Sequence, residues 1–92
     1  MTADSHMARI RLRGQLKKLA GDQAEHELSG TTVADLLCAL EQAQPGLAGW
    51  ILDERRQVRR HICLFVNGEQ ARGDDAVADG DCIEVLPAIS GG

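Results

Sequence analysis

Residues 31–46 hold the pattern that most restricts what this chain can become. Val33, Leu36, Leu37 and Leu40 are spaced to share one face of a helix, directly after Thr31-Thr32. Thr32 carries a hydroxyl able to cap the first free amides, and Asp35 stands three residues on, the position of a capping box. Pro45 disfavours helical geometry in the residue before it and Gly46 follows, so the helix is predicted to end at Gln44. An apolar stripe of this kind must be buried against something. The chain has 92 residues, enough for one core, and its remaining apolar segments read as strands of a sheet.

Arg9-Ile10-Arg11-Leu12-Arg13 alternates charged and apolar residues, the period of a strand with one wet face and one dry face. Gly14 to Gly21 stays open between helix and loop, with Leu16 and Leu19 spaced for one helical turn. Ala24 to Leu28 is read as a second strand, closed by Ser29-Gly30 and paired with the first as a hairpin. Ile62 to Val66 is strongly apolar and runs into Asn67-Gly68, a pair suited to the left-handed angles of a tight turn. Its parity sets Ile62, Leu64 and Val66 on one face and Cys63 and Phe65 on the other. Apolar residues on both faces predict a central strand or an outer face that meets a partner. After a polar turn at Gly73-Asp74-Asp75, Val77 is a candidate core anchor. Asp79-Gly80-Asp81 then launches a last strand, with Ile83 and Val85 inward and Glu84 and Leu86 outward. Pro87 lacks a sheet donor and is expected to end regular pairing. The fold class read from this order is α+β, a mixed sheet with one main helix packed across it.

Composition excludes several function classes. The chain is 43% hydrophobic and 26% charged, and no apolar run approaches the roughly 20 residues a membrane span needs. A cytoplasmic protein with no membrane partner is the expectation. The formal charge of −4 argues against nucleic acid as a main partner. Cys38, Cys63 and Cys82 are odd in number and lack a Cys-x-x-Cys spacing, which disfavours a disulfide framework and a zinc knuckle. Each is read as a small buried apolar residue, with Cys38 nearer the flank of the helix than its stripe. No cofactor or metal is expected on the chain. Ser5-His6-Met7 resembles the scar of a cleaved affinity tag, so residues 1–7 are taken as disordered or tag-derived. That sets a domain at 8–87 and a tail at 88–92.

The middle of the chain offers two further features. Leu47 to Leu52 reads as one short helical turn burying Leu47 and Ile51, with Trp50 covering one end of the core. Arg55, Arg56, Arg59 and Arg60 place four of the ten Lys and Arg residues within six positions, beside His61. A solvated loop is the plain reading, and a docking patch for an acidic surface or for phosphate groups is the alternative. His61 has neither a spaced carboxylate nor a nucleophile in its local sequence and receives no catalytic assignment.

The chain closes on Gly91-Gly92. Two glycines lose the most entropy on ordering and are poor packing elements, yet nothing on their Cα atoms would clash in a narrow channel. A terminal carboxylate has a reference pKa of about 3.5 and is ionised at neutral pH, able to attack an activated phosphate. A frayed end is the opposing reading. The balance shifts when the tail is joined to Val66-Asn67-Gly68-Glu69, Val77-Ala78-Asp79-Gly80-Asp81 and Ile83-Glu84-Val85-Leu86-Pro87-Ala88-Ile89-Ser90-Gly91-Gly92. Together these resemble the ThiS/MoaD family of ubiquitin-like sulfur carriers, from Arg9 onward and most specifically over the last 27 residues.

The resemblance implies a β-grasp fold and a carrier rather than an enzyme. It implies that an activating enzyme of the ThiF/MoeB type adenylates the Gly92 carboxylate with ATP and magnesium, Gly91 providing flexibility. Sulfur from a donor then makes a C-terminal thiocarboxylate, which a sulfur-accepting biosynthetic enzyme consumes. Partner contact is assigned to the outward apolar residues Phe65 and Leu86 and to the stem Pro87, Ala88, Ile89 and Ser90. Arg55, Arg56, Arg59 and Arg60 form a second candidate contact, and the opposite strand parity would make Phe65 core. The connection Pro45 to His61 is longer than in the smallest members. It is similar to carriers serving cysteine biosynthesis, the preferred reading, and to the small subunit of molybdopterin synthase in molybdenum cofactor biosynthesis. A ubiquitin-like covalent modifier and a non-covalent β-grasp module stay open as other classes. The free protein is expected to be a monomer.

Overall fold

Alternation along the first strand decides which way the sheet faces. In the computed structural model, which describes residues 6–87, β1 spans His6–Leu12 and buries Ala8, Ile10 and Leu12 while Met7, Arg9 and Arg11 point outward. β2, Glu25–Gly30, runs antiparallel to it with Ile10 opposite His26. The outward arginines fall beside outward glutamates: Arg11 Nε is 2.9 Å from Glu25, and Arg9 reaches Glu25 at 3.9 Å and Glu27 at 3.7 Å. β1 starts at His6 and so takes in two residues that the sequence reading left outside the domain. Gly14 to Gly21 resolves into a short helix, α1, Gln15–Leu19, which buries Leu16.

The main helix, α2, covers Val33–Ala43, and its four stripe residues are fully buried. Thr32 is extended and accepts from the Asp35 amide at 3.2 Å, as the sequence predicts. The return contact differs from a capping box. Asp35 accepts from the hydroxyl and the amide of Thr31, at 2.6 and 3.3 Å, one residue before the cap. These bonds hold the Asp35 carboxyl below its ordinary value, the Thr31 hydroxyl contributing most. The helix lies so close to β2 that a Cβ on Gly30 would stand 2.9 Å from Asp35 Cβ and 3.1 Å from the Leu36 amide nitrogen.

After Gln44 the chain makes a 3-10 turn at Pro45–Leu47. The helical turn therefore begins two residues before the predicted one, because Pro45 supplies the fixed φ that starts it. Leu47 and Ile51 are buried as expected, and Leu52 joins them. Trp50 does not cover the core. It is 42% exposed, since the turn that directs Leu47 and Ile51 inward leaves the intervening ring outside.

β3, Ile62–Val66, β4, Glu69–Gln70, and β5, Cys82–Pro87, complete a five-stranded sheet in the order β2-β1-β5-β3-β4. β5 is central, parallel to β1 with Ile10 beside Ile83, and antiparallel to β3 with Leu64 opposite Val85. One sheet face and α2 bury each other, joined by Leu16, Leu47, Ile51 and Val77. The parity read from the sequence holds: Ile62, Leu64, Ile83 and Val85 are buried, while Cys63, Phe65, Glu84 and Leu86 lie half-buried on the outward face. None of the cysteines is fully buried. Cys63 and Cys82 occupy outward positions of the sheet and Cys38 packs at the helix flank.

Candidate functional site at the end of the central strand

The two turns singled out in the sequence grip each other at the start of β5. Asn67 and Gly68 have φ of 52° and 89°, the left-handed pair of a tight hairpin. The Asn67 side chain then reaches across: its Nδ2 donates to Asp81 at 2.9 Å and its Oδ1 accepts from the Cys82 amide at 3.0 Å. Its backbone amide donates to the Cys82 carbonyl at 2.8 Å. Asp81 closes its own turn by accepting from the Ala78 amide at 2.8 Å. The Ala78 amide, then the Asn67 side chain, hold the Asp81 carboxyl below its ordinary value. Asp79 accepts from the Met7 amide at 2.9 Å, and the Gly80 amide donates to the Met7 carbonyl at the same distance. These bonds fix where β5 begins, and through its register where it ends.

At its far end β5 is flanked by Gly14 and Ile62. Arg13 donates its amide to the Val85 carbonyl at 3.1 Å, after which the chain turns at Gly14, φ 61°. The Pro87 ring lies against that turn, 3.5 Å from where a Gly14 Cβ would be. Ile62 is opposite Pro87 on the other side. Leu86 is paired with Cys63, and Phe65, paired with Glu84, is their diagonal neighbour on the same outward face. Arg13 Nη2 meets Glu84 at 2.7 Å and edges this apolar strip with a neutralised pair.

Of the candidate residues, Phe65, Leu86 and Pro87 are brought together here. Ala88, Ile89, Ser90, Gly91 and Gly92 lie outside the described residues. The arginine cluster is divided. Asp53 accepts from the Arg55 and Gln57 amides at 2.8 and 3.0 Å, building a tight loop with Arg56 at φ 63°. The Gln57 amide, then the Arg55 amide, hold the Asp53 carboxyl low, with the Arg59 and Arg55 charges adding to them. Arg55 and Arg56 thus sit at the loop end. Arg59 is anchored at the base, its amide on the Ile51 carbonyl at 2.9 Å and its carbonyl accepting from Ile62 at 3.0 Å. Arg59 and Arg60 therefore stand next to the strand that flanks Pro87, whereas Arg55 and Arg56 do not. Sequence reasoning missed Cys63 as part of the site, although its parity with Phe65 marked it. The Arg13–Glu84 pair was also missed, because only the parallel register of β1 and β5 brings those residues together.

Among the described residues no group of three His, Cys, Asp or Glu could hold a metal ion, and no helix is long and apolar enough to cross a membrane.

A mixed sheet crossed by one dominant helix, with the last strand at its centre, makes this a ubiquitin-like β-grasp protein. Within that class the profile of the ThiS family matches residues 10–92, and the chain belongs to that family. It is 30% identical over 83 residues to the sulfur carrier protein CysO of Mycobacterium tuberculosis, covering 84% of this chain and 89% of that protein. The crystal structure of SAMP1 from Haloferax volcanii superposes with a TM-score of 0.83 at 30% identity, over 94% of this chain and 99% of that one. A chain of the crystal structure of the Amycolatopsis orientalis BexX/CysO complex is matched with a TM-score of 0.80 at 26% identity, over 92% of this chain and 99% of that one. The protein is thus homologous to proteins named as sulfur carriers and as small archaeal modifiers.

Proposed function

We propose that this protein is a sulfur carrier whose Gly92 carboxylate is the reactive group. The observation that carries the reading is the family match, which extends through the last residue, joined to a fold in which the strand before the tail is central. A carboxylate oxygen of Gly92 attacks the α-phosphorus of ATP on an activating enzyme of the ThiF/MoeB type, and pyrophosphate leaves. Sulfide attacks the resulting acyl carbon and displaces AMP, giving the thiocarboxylate. Where a persulfide attacks instead, an acyl disulfide forms and a thiol reduces it to the same product. Magnesium and the catalytic groups belong to the activating enzyme, and Gly91 leaves the entry channel free of side-chain clashes.

Phe65 and Leu86 supply the apolar contact to that enzyme, with Pro87, Ala88, Ile89 and Ser90 as the stem that enters its site. The similarity to CysO favours cysteine or another sulfur-containing metabolite as the destination of the sulfur. The similarity to SAMP1 favours a second reading, attachment of Gly92 to a lysine of a target protein. Both require the same adenylate. Incubation with an activating enzyme, ATP and magnesium is expected to release pyrophosphate with this chain and none with a chain lacking Gly92. Equal release from both would remove Gly92 from the reaction.

A further inference from the structure

The arginines of this protein fall into two populations. Arg9, Arg11 and Arg13 each face a glutamate across the sheet. Arg55, Arg56, Arg59, Arg60 and Arg72 take part in no salt bridge among the described residues, and the Nε of Arg59 is buried without an acceptor there. All of these but Arg55 line two adjoining concavities. One, of about 560 Å³, lies between the loop at Arg56 and Gln57 and the turn at Arg72 to Asp74. The other, of about 510 Å³, runs from Arg59 and Arg60 over Ile62 and Leu64 to Ala71 and Arg72. Val58, Arg72 and Gly73 belong to both walls, so the two form a continuous trough. Among the described residues, Asp74 is the one acidic residue lining either part.

We infer that this trough binds an acidic, extended segment of a partner protein. Four arginines without a salt bridge among the described residues, on a chain of net charge −4, make a localised field, partly offset at Arg59 by Asp53, that attracts acidic groups, while the remaining surface repels a long polyanion. No aromatic side chain lines the trough to stack a base, the exposed Trp50 being outside it. The helix end beside the trough is not a phosphate cradle. The Val33 and Ala34 amides already donate to the Asp75 and Gly73 carbonyls, at 3.0 and 2.8 Å. Val58, Ile62, Leu64 and Ala71 line the trough together with the arginines, which suits a segment carrying both acidic and apolar side chains. On that side β4 covers only Phe65 and Val66 of β3, and the Leu64 carbonyl accepts from the Ala71 amide; Ile62 and Cys63 have no paired strand there, the Ile62 amide being held by the Arg59 carbonyl. Such an edge is where an extended chain can dock. The segment would lie across β3 from Pro87, which is paired with Ile62 on the other side of that strand, and its binding is independent of any chemistry at Gly92.

The test is an amide-shift titration of the full chain with an eight-residue peptide alternating glutamate and valine. The expected result is saturable shifts at Ile62–Leu64 and Ala71–Gly73. Affinity should fall about tenfold or more on replacing Arg60→Gln and Arg72→Gln together. It should be largely kept with Arg60→Lys and Arg72→Lys, and unchanged with Arg11→Gln. Both arginines are exposed, and an unchanged thermal midpoint in each variant verifies folding. Equal binding of the peptide with lysine in place of glutamate, or no shifts in the trough, would overturn the inference. So would tighter binding of a single-stranded oligonucleotide at these residues, or inorganic phosphate alone reproducing the shifts. A chain lacking Gly92 should bind the peptide normally, which separates this outcome from that of the sulfur-carrier reading.

Discussion

The two ends of β5 are built from opposite materials. At Cys82 the strand is clasped by Asn67 and Asp81, whose side chains are committed to bonds of 2.8 to 3.0 Å with turn and strand amides and with each other. At Pro87 the surroundings are Leu86, Cys63 and Phe65 on the outward face, a glycine turn, and arginines entering from the loop before β3. One end spends its polar groups on internal bonds. The other leaves apolar and cationic side chains available to a partner. Motif residues can therefore be sorted by what they touch: the Asn-Gly and Asp-Gly-Asp turns bond to each other and set where β5 begins, while Phe65 and Leu86 lie outward towards its other end.

This contrast is open to direct attack. Removing Gly92 has the largest expected effect, loss of all activator-dependent pyrophosphate release with no change in thermal midpoint. At the clasped end, Asn67→Ala removes one donor and one acceptor and is expected to lower unfolding stability by roughly 1–3 kcal/mol in a denaturant titration. The affinity of the folded protein for its activating enzyme should not change. At the open end the pattern reverses. Leu86→Ser and Phe65→Ser should each weaken that complex about tenfold, near 1.4 kcal/mol, measured by calorimetry. Their half-buried outward positions predict a small cost in stability by comparison.

Acid supplies the smallest and most graded test. Asp35, Asp53 and Asp81 all have folded-state carboxyls below their ordinary value of 3.8. A depressed carboxylate contributes its stability above the unfolded value and loses it as pH falls through the folded one. Stability should thus be level in this respect near neutrality and decline once pH drops below about 4. In Asp81→Asn the acid slope, followed by circular dichroism, should be shallower.

How much of this was readable in advance depended on how local the cause was. Helix α2 was legible because Thr32, the four-residue stripe and Pro45 act within a few positions of one another. The inward and outward sets of β3 and β5 followed from a period of two, and with them Phe65 and Leu86. Trp50 was misread because residue type argues for burial, while its direction is set by a turn that begins at Pro45. The start of β1 was misplaced because His6 and Met7 are held by Asp79 and Gly80, more than seventy positions away. The clasp between Asn67 and Asp81 joins two turns that looked independent in the sequence. The arginine run looked like one patch because adjacency in sequence hides direction. Asp53 folds the loop so that Arg55 parts from the other three, and Arg72 joins Arg56, Arg59 and Arg60 from another turn.

The central claim is that the carboxylate of Gly92 accepts sulfur. The most direct measurement is intact-mass spectrometry of the chain after incubation with an activating enzyme, ATP, magnesium and sulfide, with peptide mapping of the C-terminus. The account predicts exchange of one oxygen for sulfur, located at Gly92 and absent from the chain lacking it. An unchanged mass with an activating enzyme active on its own carrier, or sulfur recovered on Cys38, Cys63 or Cys82 instead, would contradict it.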